Sequence, residues 1–261
     1  MSDFALYWRY IRLHFMTELQ YKGWPLNILT TLIYVITDPL DAVLLLDRFG
    51  GVGGMTGSQI LLVYAMAVSA FGFAELFSRG FDVFPPLVRN GDFDRFLLRP
   101  RSLYVQTATI RFHLNRLPRA MGMAAFAVFL ILGQGVFFGP VEIALFLLAL
   151  IGGALTYTGL FLISSAVAFF TLQALDWIYI FTNGSYQVAK VPVHLLPDWL
   201  RRTFTYVLPM FLFCYFPAAS ICRWDEPYAM GFLALPVGAA FLGVAMLLWG
   251  FGVRHYKSSG S

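Results

Sequence analysis

The chain has 261 residues, of which 59% are hydrophobic and 12% charged, with a net charge of +4 and a mean hydropathy of +0.71. Soluble domains carry about 25% charged residues, and a soluble fold of this length cannot hide so much apolar surface in one core. The composition therefore excludes an ordinary soluble domain, and basic residues set between apolar runs argue against a nucleic-acid binder.

Residues 4–22 set Phe4, Tyr7, Trp8, Ile11 and Phe15 at helical spacing among Arg9, Arg12 and Glu18. This predicts an N-terminal helix within 1–24, either lying in the membrane interface or packed on the protein itself. Charges run through the segment and it has no small-residue cleavage site, so it does not read as a cleaved signal peptide. The first span is expected over 25–46, opened by Pro25 and kinked or ended at Asp38 and Pro39, close to Asp41. The glycine-rich run 50–57 lacks the Gly-Lys-Ser/Thr ending of a phosphate-binding loop and reads as a flexible turn.

The second span is expected over 59–78 and the third over 117–138, its helix starting as early as Leu103. Gly139-Pro140 turns the chain into a fourth span over 141–170. That is longer than the roughly 20 residues needed to cross, which implies tilt or projection beyond the bilayer. Gly152, Gly153 and Gly159 along it permit close approach of another helix. Two segments then compete for the fifth span. Residues 172–191 carry Asp176, Asn183, Gly184 and Lys190, whereas 203–222 is more apolar but broken by Pro209 and Pro217. The last span covers 229–252.

Either choice gives an all-α integral membrane protein, a single domain over 1–261 with six transmembrane helices and both termini on one side. Eight arginines fall between Arg79 and Arg119, while Ala120–Gln173 has no Lys or Arg. By the positive-inside rule the long loop after the second span faces the cytoplasm. Taking 203–222 as the fifth span leaves only Arg48 and Arg223 outside, a sharper bias than 172–191 provides.

That long loop reads RGFDVFPPLVRNGDFDRFLLRPRSLYVQ from Arg79 to Gln106. Pro85-Pro86 and Asn90-Gly91 are breakers, and Asp92 suits the cap of a two-turn helix from Phe93 to Arg99, stopped by Pro100. Phe93, Phe96 and Leu97 share a face at i, i+3 and i+4 spacing, with Asp94 and Arg95 pointing elsewhere. Two readings fit: a docking element that offers apolar side chains to a soluble partner, or a helix lying on the bilayer surface.

The run Asn90 to Pro100 resembles the signature loop of a family of small bacterial six-helix permeases in the type-2 ABC exporter class. So do Leu196 to Pro209, Tyr215 to Ala218 with Arg223, and the terminal Arg254 to Ser258. The resemblance implies cytoplasmic termini in a bacterial cytoplasmic (inner) membrane, an N-terminal interfacial helix and a cytoplasmic coupling loop over 79–104. Its docking residues for an ATPase are then Phe93, Asp94, Arg95, Phe96, Leu97 and Arg99. It also implies that 172–191 is the fifth span and that 195–222 forms re-entrant outer helices broken around Pro209 and Pro217. Implied partners are two separate ABC ATPase subunits and a second copy or related permease, besides membrane lipid. The chain has no Walker motif, so ATP and magnesium belong to the partner subunit and no cofactor is expected here. The cargo is expected to be amphipathic or hydrophobic.

The competing reading is a secondary transporter or channel using Asp38, Asp41, Glu75, Glu142 or Asp176. These residues fall near predicted span ends, where they also serve as anchors. An intramembrane enzyme has less support. His14, His113, His194 and His255 are scattered, no metal-ligating set is seen, and Ser164-Ser165 has no neighbouring base. Cys214 and Cys222 stand either as packed thiols or as a disulfide.

Overall fold

A computed structural model describes residues 3–20, 22–40, 54–112, 114–171, 176–224 and 226–256. Asp41, His113, the glycine-rich run as far as Gly53, the end from Lys257 and the side chain of Asp176 lie outside the described set.

Helix α1 (Asp3–Gln20) packs on the protein along one stripe. Tyr7 donates to the Phe77 carbonyl at 2.7 Å, His14 meets the Thr109 carbonyl at 3.0 Å, and Glu18 accepts the Leu114 amide at 2.6 Å. Ile11 joins Leu76, Phe112 and Leu114 in a small cluster. The aromatic face expected from the sequence therefore divides, because Trp8 and Phe15 are exposed together with Leu13, Met16 and Leu19.

Helix α2 (Trp24–Thr37) has Pro25 in its first turn and ends just before Asp38-Pro39, where the break was expected. None of its residues is fully buried. Helix α3 (Gly57–Asp82) is the central rod: every residue from Ile60 to Phe71 is buried. It begins with a capping box in which the Thr56 amide donates to the Gln59 side chain at 2.8 Å. Small residues let neighbours close on it. A Cβ at Gly72 would stand 2.9 Å from Ala120 Cβ, and Ser69 donates to the Ala120 carbonyl at 2.8 Å.

After α3 come the short helices α4 (Pro85–Arg89), α5 (Asp94–Leu97) and α6 (Leu103–Ala108), then α7 (Arg116–Gly133) and α8 (Pro140–Ala168). The chain breaks between α6 and α7, so the third long helix does not run on from Leu103. Helix α9 (Asp176–Val188), the short α10 (Asp198–Arg202) and α11 (Tyr215–Cys222), and α12 (Ala234–His255) complete the fold.

Helices α8 and α12 touch backbone to backbone. A Cβ at Gly152 would lie 2.2 Å from the Ala234 carbonyl oxygen, and one at Gly238 would lie 2.2 Å from the Gly152 carbonyl oxygen. Gly153 makes room for Phe213 and Ala70, and Gly159 for Phe241, so all three glycines marked for close approach have that use.

Between α10 and α11 the chain forms a hairpin. One wide turn, Thr203–Val207, follows α10 and stops at Leu208 (φ −113°, ψ 85°), since the residue before a proline is driven out of the helical region. Pro209 is buried. Pro217 sits in the first turn of α11, where its missing N–H leaves no bond unmade. Phe213, in the bend, packs on Tyr157 with ring centroids 5.4 Å apart, well along α8. Both cysteines are buried free thiols.

Four segments among the described residues are long and apolar enough to cross a membrane: Gly57–Arg89, Arg116–Gly133, Pro140–Ala168 and Tyr228–His255. The segments expected to supply the first and fifth spans hold α2 and α9, of 14 and 13 residues, shorter than the roughly 20 that span a bilayer unaided.

Candidate coupling site

The loop after α3 is built on aromatic burial. Phe84 caps α4, whose Pro85-Pro86 start is preset for a helix. Gly91 then takes φ +77°, the left-handed conformation that favours glycine, and reverses the chain. The Phe93 amide donates to the Leu87 carbonyl at 3.2 Å, so Phe93 belongs to this reversal and not to a helix. Helix α5 is consequently one turn of four residues instead of the two turns expected, and Asp92 does not cap it.

Phe93 is fully buried, which corrects its expected place on an outward face. Its ring meets Phe84 at 5.2 Å, Phe169 beyond the end of α8 at 5.2 Å, and Tyr256 beyond the end of α12 at 5.0 Å. Tyr256 also donates to Asp94 at 3.0 Å. From the other side, Gln106 donates to the Arg101 carbonyl at 3.0 Å. Gly80 lets α6 lie on the end of α3, for a Cβ there would sit 1.9 Å from the Thr107 carbonyl oxygen. The turn is thus a braced projection, not a loose loop.

Its outer side shows Arg95, Leu97, Leu98, Arg99, Pro100 and Arg101, all exposed. Phe96 is half-buried and carries the Arg99 guanidinium 5.7 Å from its ring centre. Leu98 is 84% exposed, more than any other large hydrophobic residue described. Helical spacing missed it because it stands at the end of α5, where the helical wheel no longer assigns a direction. The run Phe-Leu-Leu between two arginines was the only signal for it. The apolar tip is therefore Leu97 with Leu98, and Phe93 is its anchor.

A second polar constellation lies deeper. Glu75, on α3, is 2% exposed and ion-paired with Arg79, with Arg116 at 3.3 Å and with Arg119 at 3.9 Å. Arg79 also reaches Asp82 at 3.3 Å. Asp38 accepts the Tyr64 hydroxyl and lies 3.9 Å from Lys190. Glu142 caps the start of α8 through the Gly139 amide at 3.1 Å, a helix-end partner as its position suggested. Ser165 donates to the Phe81 carbonyl, a packing role. His194 and His255 have separate partners, the first beside the Tyr215 hydroxyl at 3.3 Å and the second at the Phe251 carbonyl.

The family model described as an ABC-2 family transporter protein matches residues 32–260, taking in the loop, the hairpin and the whole polar constellation. The chain belongs to the ABC-2 transporter family. No curated protein and no solved structure matches it. As an ABC-2 family member it is a multi-pass membrane protein and the permease component of an ABC exporter, a transport subunit. The braced turn and the buried ion cluster are features of this ABC-2 chain that any account of its working has to use.

Proposed function

We propose that this permease pairs with a second copy or a related permease and couples to two separate ATPase subunits through loop 79–104, exporting an amphipathic or hydrophobic cargo. It sits in a bacterial cytoplasmic membrane with both termini inside. Faces of α2 and α9 line the path against the enclosed α3, and ATP with its magnesium is held by the partner subunits.

The observation that carries this reading is the pairing of an exposed apolar tip, Leu97 and Leu98, with a buried anchor, Phe93, seated on the ends of α8 and α12. A soluble partner that grips the tip moves the aromatic seat beneath it, and the seat moves the helices. The exposed Arg95, Arg99 and Arg101 set its orientation by charge. Asp94 faces inward to Tyr256 and holds the turn's shape.

The test uses the tagged full chain purified from its native membranes. The wild type is expected to bring down an ATP-hydrolysing subunit. The double variant Leu97→Asp, Leu98→Asp should insert at equal yield and lose that ATPase, because charges forced into an apolar contact go unpaired. Full ATPase recovery with the double variant would remove the loop from this role.

A further inference from the structure

Arg119 is the deepest cation described, with 8% of its side chain exposed. Its guanidinium stands over three aromatic rings from three helices: Tyr34 of α2 at 5.1 Å, Tyr186 of α9 at 5.4 Å and Phe71 of α3 at 5.9 Å. Ring faces stabilise a cation without accepting from its N–H groups, and the Tyr186 hydroxyl adds one hydrogen-bonding partner. Nε and Nη2 are buried without a hydrogen-bond acceptor, and Nη1 is 3.9 Å from Glu75. Glu75 Oε2 is shared between Arg116 and Arg119 as ion-pair partners and accepts a hydrogen bond from neither, while Oε1 is held by Arg79. Among the described residues the carboxylates of Glu75 and Asp82 face the guanidiniums of Arg79, Arg116 and Arg119, two acids against three cations. Nearby Asp38 accepts the Tyr64 hydroxyl and lies 3.9 Å from Lys190.

A buried guanidinium that shares its one carboxylate with two others, and has two N–H-bearing nitrogens without an acceptor, is a strong demand for an anion, because charge-assisted bonds are worth most where water is excluded. We propose that Arg119 recognises the headgroup of an anionic amphiphile, a phosphate or carboxylate carried on an apolar chain. The apolar chain follows from the surroundings. The approach is bounded by the Tyr34 and Tyr186 rings, and the side of α2 turned away from Tyr34 is an exposed apolar face of Leu29, Leu32, Ile33 and Ile36, along which a chain extending past the helix would lie. Tyr34 is 43% exposed on a helix with no fully buried residue, so it is the side chain that an arriving headgroup displaces. This rests on the transport reading above and names the cargo class for it.

Binding is measured on the full chain in neutral dodecyl maltoside by native mass spectrometry, titrated with dodecyl phosphate and with no ATPase present. The wild type is expected to take up dodecyl phosphate saturably and to ignore dodecanol. Arg119→Gln should weaken binding about tenfold or more, the loss of a charged hydrogen-bond donor. Should that variant not fold, Arg119→Lys keeps the charge beside Glu75 but not the fork of donors, and is expected to bind several-fold more weakly. Equal affinity in the wild type and the Arg119 variants, or no uptake by the wild type, overturns the proposal. Displacement by inorganic phosphate at equal concentration also overturns it, since the site would then take a free anion. The Leu97→Asp, Leu98→Asp variant should bind dodecyl phosphate like the wild type, so a failed docking role leaves this result readable.

Discussion

The Tyr256 hydroxyl donates to the Asp94 carboxylate across 3.0 Å, joining the end of α12 to the first residue of α5. With the Phe93–Tyr256 ring contact it fixes the turn to the helix bundle by one polar and one aromatic link. Tyr256→Phe keeps the ring and deletes the bond, a loss of about 1 kcal/mol. Trypsin cleavage after Arg95, whose side chain is 80% exposed, should then quicken about fivefold through easier local opening. An unchanged cleavage rate would show that the bond does not hold the turn.

The same phenol ties the corner to pH. Burial first, and then the Asp94 carboxylate, raises the Tyr256 pKa above the ordinary 10.0. A group whose folded pKa is raised contributes its stability fully below the unfolded value and loses it as pH climbs through the folded one. Between roughly pH 9 and 11 the melting temperature of the wild type should therefore fall further than that of Tyr256→Phe. Parallel curves would contradict this.

Phe93 and Leu98 separate anchoring from contact. Phe93→Ala empties the centre of an aromatic cluster and should cost about 3–5 kcal/mol. Leu98→Ala changes an exposed side chain and should stay within about 0.5 kcal/mol. Both are expected to lower ATPase-coupled transport, the first by displacing the turn and the second by blunting its tip. Denaturant unfolding alongside a transport assay distinguishes the two.

The glycine seam between α8 and α12 has no room for a side chain. Gly152→Val would drive a side chain into the Ala234 carbonyl, so α8 and α12 must separate or the chain must misfold. Gly243→Ala, on the same α12 but with nothing near its Cβ position, should change stability by less than about 1 kcal/mol. Detergent-resistant melting of the two variants provides the comparison, and similar behaviour would rule out the seam as a tight contact.

Glu75→Gln removes the carboxylate shared by Arg79, Arg116 and Arg119. Breaking a buried ion pair on one side costs about 3–5 kcal/mol, because the partner charges stay buried. The variant should melt well below the wild type, and Glu75→Asp should fall between them.

The long helices were legible because their apolar runs are long and the breakers are local: Asp38-Pro39 and Gly139-Pro140 mark ends that the fold uses. The uses of Gly152, Gly153 and Gly159 were legible too, since only small residues admit a neighbour that closely. Periodicity grouped Phe93 with Phe96 and Leu97 but carried no information about which way that face turns. What turned it was the Phe93 amide bonding back to Leu87 after the Gly91 reversal, a contact outside any helical repeat. Glu75 and Arg119 were harder still. Their meeting depends on how α3 and α7 lie side by side, and an isolated glutamate near a predicted helix end looks the same whether it meets water or three guanidiniums.

Gly152 and Gly238 leave α8 and α12 no lateral play, since each glycine meets the other helix's main chain. Phe169 and Tyr256, on which Phe93 rests, extend from the ends of those same two helices. A load applied at Leu97 and Leu98 is accordingly borne by a double-stemmed beam that tilts as one piece, and the give in the molecule must come from the slimly held α2 and the short α9.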